Sequence, residues 1–269
     1  MARYRVGNSF ATLPFDKLDS VSGGYIHEDF IMAGALADAV DDTGVVYEAG
    51  ATRWWAAEIG GAAVGNITKV VSVAGHQGII GLEVGATSPA DGDAIALQLG
   101  GDANTVQDSV LLDSSGVYIA TMLRIQSTLA ATKVEFGLIG QTPVEPNSSA
   151  LDLIAFVYDP EDSANVGDAF WFAQVNDNGT DVEEVLSLAP IVQDEWTLLE
   201  IAATSTDAVF RITTEDNIQT VSIPHTVTVA LRPSYVVENV TTTEGVIDID
   251  IFHMRYLRRE DNIMEQLGA

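Results

Sequence analysis

Gly116-Val117-Tyr118-Ile119-Ala120-Thr121-Met122-Leu123-Arg124-Ile125-Gln126-Ser127 is the stretch whose reading decides the fold. Val117, Ile119, Thr121, Leu123 and Ile125 fall on one side of an extended chain, and Tyr118, Ala120, Met122, Arg124 and Gln126 on the other. Successive side chains of a strand point to opposite faces, so this period of two predicts a half-buried β-strand. Runs of the same kind recur outward in both directions, each closed by Gly, Asp, Asn, Ser or Pro. Upstream they predict strands over 53–59, 67–73, 78–85 and 94–99. Downstream they predict strands over 133–139, 152–158, 169–175, 182–188, 196–203, 208–214, 219–223, 226–237 and 246–256. The segment 141–149, with Pro143, Pro146 and Asn147, reads as a surface loop. So many short strands in one series, with almost no helical pattern, predict an all-β fold: a large antiparallel sandwich.

No linker splits the series, and all-β sandwiches commonly reach 200–250 residues as one domain. The expected organisation is an extended N-terminal arm over 1–26, a sandwich over 27–259 and a C-terminal tail over 260–269. The arm does not alternate. It carries Gly7, Pro14, Gly23 and Gly24 between single anchors such as Tyr4, Phe10 and Phe15.

Composition excludes several classes. The chain has 39 acidic and 12 basic residues, a net charge of −27. Nucleic-acid binding needs cations to displace counterions from phosphate, and this chain lacks them; an anionic membrane surface is disfavoured for the same reason. No apolar run approaches the length of about 18 residues that a membrane span needs, and the first fifteen residues do not read as a signal peptide. There is no cysteine, hence no disulfide or thiolate chemistry. Half of the basic residues sit at the ends: Arg3, Arg5 and Lys17, then Arg255, Arg258 and Arg259. Such a distribution fits termini that meet an acidic partner.

The motifs that could carry chemistry are few. Asp248 and Asp250 alternate with Ile247, Ile249 and Ile251, which places both aspartates on one exposed face with no third carboxylate beside them. A glycosidase needs two carboxyl groups flanking the bond and one of them held protonated, so this pattern predicts no catalysis. Asn176, Asp177, Asn178 and Asp181 surround Gly179 and offer oxygen ligands for calcium, yet an EF-hand loop would need Glu where Ser187 stands. Asn-Gly between alternating strands reads first as a hairpin turn. His27, His76, His225 and His253 lack metal-ligand spacing and read as surface or strand-end residues. Four Asn-x-Ser/Thr triplets begin at Asn66, Asn147, Asn178 and Asn239. Trp54 and Trp55 are adjacent, so on a strand they face opposite ways, and one of them is a candidate platform for stacking on a glycan.

Several runs taken in order resemble a known family. Glu28-Asp29-Phe30, Trp54-Trp55, Gly78-Ile79-Ile80-Gly81-Leu82-Glu83-Val84, Asp93-Ala94-Ile95-Ala96-Leu97-Gln98-Leu99, Phe136-Gly137-Leu138, Asp168-Ala169-Phe170-Trp171-Phe172, Trp196-Thr197-Leu198-Leu199-Glu200-Ile201 and Asp248-Ile249-Asp250-Ile251-Phe252 follow one another. This order resembles the virion structural proteins of tailed bacterial or archaeal viruses that carry a concanavalin-A-like jelly-roll sandwich. The resemblance implies a lectin/glucanase-type β-sandwich in a capsid decoration, head spike or tail component on the exterior of the virion, and the motif reading adds that it is non-enzymatic and without a cofactor. It also implies a homo-oligomer, a trimer being favoured, bound to a major capsid protein or another virion protein. Arg3, Tyr4, Arg5, Phe10, Phe15, Arg255, Arg258 and Arg259 are the expected partner contacts. The alternative is a lectin-like module that binds host glycans, with Trp54 and Trp55 as contacts. A glycan hydrolase is the third reading.

Overall fold

The computed structural model describes residues 25–28, 45–49, 52–59, 66–69, 79–85, 89–99, 110–114, 116–140, 152–162, 165 and 169–256 of the 269. They form β1 (Tyr25–Glu28), β2 (Val45–Ala49), β3 (Thr52–Ile59), β4 (Asn66–Lys69), β5 (Ile80–Val84), β6 (Ala94–Leu99), β7 (Val110–Leu111), β8 (Val117–Ile125) and β9 (Thr132–Ile139). Then follow β10 (Asp152–Tyr158), β11 (Phe172–Asp177), β12 (Thr180–Val185), β13 (Thr197–Ala203), β14 (Asp207–Thr213), β15 (Ile218–Pro224), β16 (Ala230–Asn239) and β17 (Gly245–Tyr256). Among the described residues the helical ones are the 3-10 turn Leu129–Ala131 and Asn165, and no helix is long and apolar enough to cross a membrane. β1 starts at Tyr25 and pairs with β17, so the sheet takes in the last two residues assigned to the arm.

The strands make two antiparallel sheets. The eight-stranded sheet runs β15-β14-β13-β8-β17-β5-β4, with β1 also on β17. The nine-stranded sheet runs β12-β11-β10-β9-β16-β6-β3-β2, with β7 also on β16. One side of β16 is shared: β6 pairs with Ser234–Glu238 and β7 with Ala230 and Leu231. Pro233 falls in the gap between them, where a missing N–H costs no ladder hydrogen bond on that side.

The interior lies between the sheets. Val117, Ile119, Leu123 and Ile125 of β8 all enter it, as the alternation predicts. They meet Val134, Phe136 and Leu138 of β9 and Leu231, Tyr235 and Val237 of β16. Aromatic edges lock the layers: Phe156 of β10 meets Phe210 of β14 with centroids 5.3 Å apart at 90°, and Trp54 of β3 meets Phe252 of β17 at 4.9 Å and 85°. Each such ring contributes on the order of 1.5–3 kcal/mol by burial alone.

β17 departs from the predicted alternation. Its register against β8 shifts between Ile249 and Ile251. Ile247 and Ile249 face the core before the shift, and Phe252 and Met254 face it after. Ile251, predicted inward, packs instead with Ile79, Met122, Trp196 and Leu198 in a separate cluster. A bulge inserts one residue and so flips every side chain beyond it.

Candidate functional site

The outer faces of both sheets are lined with buried polar groups, and these are the places where the sandwich gathers chemistry. On the eight-stranded sheet, Glu200 of β13 is wholly buried and faces Arg211 of β14 in direct register. Arg211 donates Nε to Oε2 and a terminal nitrogen to Oε1, each at 2.5 Å. Tyr118 of β8 donates its hydroxyl to the same Oε1 at 2.8 Å. Burial, then the charge of Glu200, raises the Tyr118 phenol well above its ordinary value. For Arg211 burial works against the charge, but the hydrogen bonds and charge of Glu200 outweigh it and hold the guanidinium more firmly protonated.

A second cluster lies on the same face. Arg124 of β8 donates to Asp248 Oδ2 through Nε at 2.8 Å and through a terminal nitrogen at 2.7 Å. Gln126 donates to the same oxygen. The Arg124 guanidinium also lies 4.9 Å above the Trp196 ring, a cation–π contact. Asp248 Oδ1 is buried without a hydrogen-bond partner. Burial raises the Asp248 carboxyl above the ordinary value, with Arg124 and Gln126 opposing. Glu200 and Asp248 do not form a catalytic pair. Glu200 is in register with Ala120 and Asp248 with Arg124, and β13 and β17 flank β8. Four residues along and two strands across separate them by roughly 16 Å, beyond the carboxyl spacing of about 5–9.5 Å that glycosidases use.

The outer face of the nine-stranded sheet carries a polar row. Gln98, Ser234, Gly137, Ala155, Gln174 and Glu183 stand side by side across β6, β16, β9, β10, β11 and β12. Gln98, Ser234 and Gln174 are buried. At the centre only glycine fits: a Cβ on Gly137 would lie 2.3 Å from the Ile154 carbonyl oxygen. Toward one end of this face, Lys133 is 3.0 Å from Asp159 and in register with Glu238. Burial opposes the Lys133 charge, but Glu135, Asp159 and Glu238 more than restore it. Burial raises the carboxyls of Glu183 and Glu238, and for Glu183 the neighbouring Asp162, Asp181 and Asp159 add to the effect.

The expected contacts are placed as follows. Trp54 is 0% exposed and packs on Phe252 and Tyr235, so it is a core residue and not a stacking platform. Trp55 pairs with Gln98 at the end of the polar row, and its side chain lies outside the described residues. Arg255 is half-buried, in register with Tyr118 and Tyr25. Arg3, Tyr4, Arg5, Phe10, Phe15, Arg258 and Arg259 lie outside the described residues.

Asn178 and Gly179 form the β11–β12 hairpin turn with φ of 50° and 82°. The neighbouring oxygens serve that hairpin and its surroundings. Asn176 Oδ1 accepts from Gly179 N, Asp181 Oδ1 from Gln174, and Asp177 Oδ2 from Thr226. Of the histidines read as surface or strand-end residues, His225 stands just past the end of β15 but is only 7% exposed, while His253 lies within β17 and is 6% exposed, which corrects its reading. His225 Nδ1 accepts from Val227 N. Asn239 is also buried and donates to the Val84 carbonyl, so its triplet is closed to modification in the folded chain.

The two carboxylate–arginine clusters escaped the sequence reading. Their signal is a lone Glu in Thr197-Leu198-Leu199-Glu200-Ile201-Ala202-Ala203 followed by a lone Arg in the next hairpin strand.

No protein-family model matches the chain, and no curated protein matches it in sequence. Solved structures do match its shape. The metal-bound exoplasmic/lumenal domain of VIP36 is 11% identical, with TM-score 0.51 over 77% of this chain and 85% of that one. The β-glucanase of Bacillus licheniformis is 13% identical, with TM-score 0.49 over 89% and 100%. The CBM2 module of the evolved Dit of Lactobacillus casei BL23 phage J-1 is 12% identical, with TM-score 0.43 over 88% and 98%. The expectation that the chain is not an enzyme is corrected: its argument from two exposed aspartates fails, since Asp248 and Asp250 are 0% and 4% exposed. The fold itself is plain: an all-β, concanavalin-A-like jelly-roll sandwich of two antiparallel sheets.

Proposed function

We propose that this chain is a structural component of the exterior of a virus particle, held to an acidic face of a capsid or other virion protein by its basic ends. The observation that carries the reading is where the cations are. Of the six basic residues between Leu18 and Met254, Arg124, Lys133 and Arg211 are ion-paired with Asp248, Asp159 and Glu200, and Arg232 is 2% exposed. Three cations of the sandwich are thus held by its own carboxylates. Toward the two ends of the chain, positive charge concentrates in Arg3, Arg5, Lys17, Arg255, Arg258 and Arg259. The order of strand types and aromatic residues shared with virion jelly rolls supports the same reading.

A test is to label purified particles with an antibody raised against the folded chain and to examine them by electron microscopy. Label on the particle exterior supports the reading. It should be lost when Arg3, Arg5, Arg258 and Arg259 are replaced by Ser, while the variant keeps its strand circular dichroism. Particles without label, or label that is indifferent to these substitutions, defeat the reading.

The second reading, a glycan-binding module, is favoured by the row Gln98–Ser234–Gly137–Ala155–Gln174. Amides and hydroxyls are the groups that exchange hydrogen bonds with sugar hydroxyls, and since Gln98, Ser234 and Gln174 are buried, a sugar reaches them only when what covers this face moves aside. Binding on a glycan array that is weakened by Gln174→Leu favours it; an array with no signal removes it.

A further inference from the structure

The sheets end differently on the flank where β12 and β15 lie together. Gln219 Oε1 of β15 accepts a hydrogen bond from Leu188 N just after β12, at 2.9 Å, so the two terminal strands share one edge of the sandwich. β12, Thr180-Asp181-Val182-Glu183-Glu184-Val185, is exposed throughout and bears three carboxylates. Charge on an edge strand is the usual guard against pairing with another chain. β15, Ile218-Gln219-Thr220-Val221-Ser222-Ile223-Pro224, bears no charge in a chain of net −27. Among the described residues its one strand partner is β14. Ile218 is 61% exposed and the adjoining Leu188 is 65% exposed, while Thr220 and Ser222 also face solvent.

We propose that β15 is the self-association edge of this protein, where a second copy adds its own β15 antiparallel and joins two eight-stranded sheets about a two-fold axis at Val221. The sequence is self-complementary in that register. Thr220 then stands opposite Ser222 of the other copy, twice, giving two hydroxyl pairs, and Ile218 stands opposite Pro224 in an apolar pair. Electrostatics selects the same arrangement. The turn before β15 carries exposed Glu215 and Asp216. Antiparallel pairing sends the two copies' acidic turns beyond opposite ends of the paired strands, about ten residues or roughly 34 Å apart. That exceeds the Debye length of about 8 Å at physiological salt, so their repulsion is screened. Parallel pairing would set the two turns side by side. Pairing through β12 would oppose its own carboxylates. The resulting assembly is an isologous pair, unlike the trimer that the family resemblance implies.

Light scattering of the full chain in 0.15 M salt should give twice the 28.6 kDa chain mass. Thr220→Asp with Ser222→Asp opposes carboxylates across the axis twice and should halve that mass. Thr220→Lys with Ser222→Asp opposes unlike charges instead and should restore the pair, which separates loss of association from loss of fold. A monomeric wild type, an unchanged mass in the doubly acidic variant, or a monomeric Lys/Asp variant each overturns the proposal.

Discussion

The hydroxyl of Tyr235 donates to the hydroxyl of Thr121 at 2.8 Å across the interior of the sandwich, and Thr121 in turn donates to the Ile251 carbonyl at 2.9 Å. Tyr235 belongs to β16 and Thr121 to β8, so the contact ties the middles of the two sheets. The Ile251 carbonyl sits where β17 breaks register with β8. One buried hydroxyl therefore serves both the inter-sheet bond and the irregular strand. Its position among Val117, Ile119, Leu123 and Ile125 makes Thr121 the polar member of an otherwise apolar row.

Removing the shared hydroxyl should cost more than removing the phenol. Thr121→Val keeps the shape but strands both the Tyr235 donor and the Ile251 acceptor, at about 1–3 kcal/mol for each stranded group. Tyr235→Phe leaves Thr121 still donating to Ile251 and should cost about 1 kcal/mol. Urea unfolding of both single variants and the double variant checks this. Equal costs, or strict additivity, would show that the hydroxyls are not coupled.

The Glu200 cluster should behave as a buried charge pair. Glu200→Gln leaves the Arg211 guanidinium, 14% exposed, without its carboxylate. Breaking such a pair from one side typically costs about 3–5 kcal/mol. Glu200→Leu with Arg211→Leu removes both charges and should recover most of that loss. Denaturant midpoints decide the matter, and a double variant as unstable as the single one would mean that packing, not charge, is what Glu200 provides.

How far the sequence reveals this depends on local regularity. β8 obeys strict alternation, and the residues it turns toward the core are read correctly, but the strand is not half-buried as expected. Its second face is buried as well, with Tyr118, Ala120 and Met122 covered, and alternation in one strand says nothing about what lies over a sheet. The Asn178-Gly179 turn is legible because its two positive φ values suit those residue types. β17 is misread from Ile251 onward, since a bulge leaves no mark in the alternation of apolar and polar residues. Asp248 is misplaced for a different reason. Its burial depends on Arg124 and Gln126, 124 and 122 residues away in sequence, and on Trp196 beyond them. The pairing of Trp54 with Phe252 is equally long-range.

Salt should stabilise the fold. A charge of −27 repels itself, and the Debye length falls from about 30 Å at 0.01 M to about 3 Å at 1 M. The Arg124–Asp248 and Arg211–Glu200 pairs have wholly buried carboxylates and are therefore less screened than the surface carboxylates. The melting temperature should rise between those two sodium chloride concentrations; a flat or falling trend refutes the argument.

The calcium reading of the β11–β12 hairpin is tested by the same measurement. Asn176, Asp177 and Asp181 each have an oxygen engaged with a different protein donor, and a calcium ion needs six to eight converging oxygens. Millimolar calcium should shift the melting temperature no more than an equal ionic strength of sodium chloride. A larger shift, abolished by Asp181→Asn, would establish a site there.

Acidification below neutrality should strengthen the sandwich before it weakens it. Burial raises the carboxyls of Asp248, Glu183, Glu238 and Glu244 in the folded chain. A group with a raised folded value contributes fully below its unfolded value and loses that contribution as pH rises through the folded one. These four therefore favour folding as pH falls from neutral toward the ordinary carboxyl range. His225 acts the other way: burial lowers its folded value below 6.5, so its contribution is present above 6.5 and is lost as pH falls through the depressed value. Four carboxyls against one imidazole, with net repulsion also declining, place the stability maximum on the acid side of neutrality. His225→Gln removes the opposing contribution and should steepen the rise between pH 7 and 5. Melting curves over that range that peak at pH 7 or above in both proteins would show that the carboxyls are not held as the structure places them.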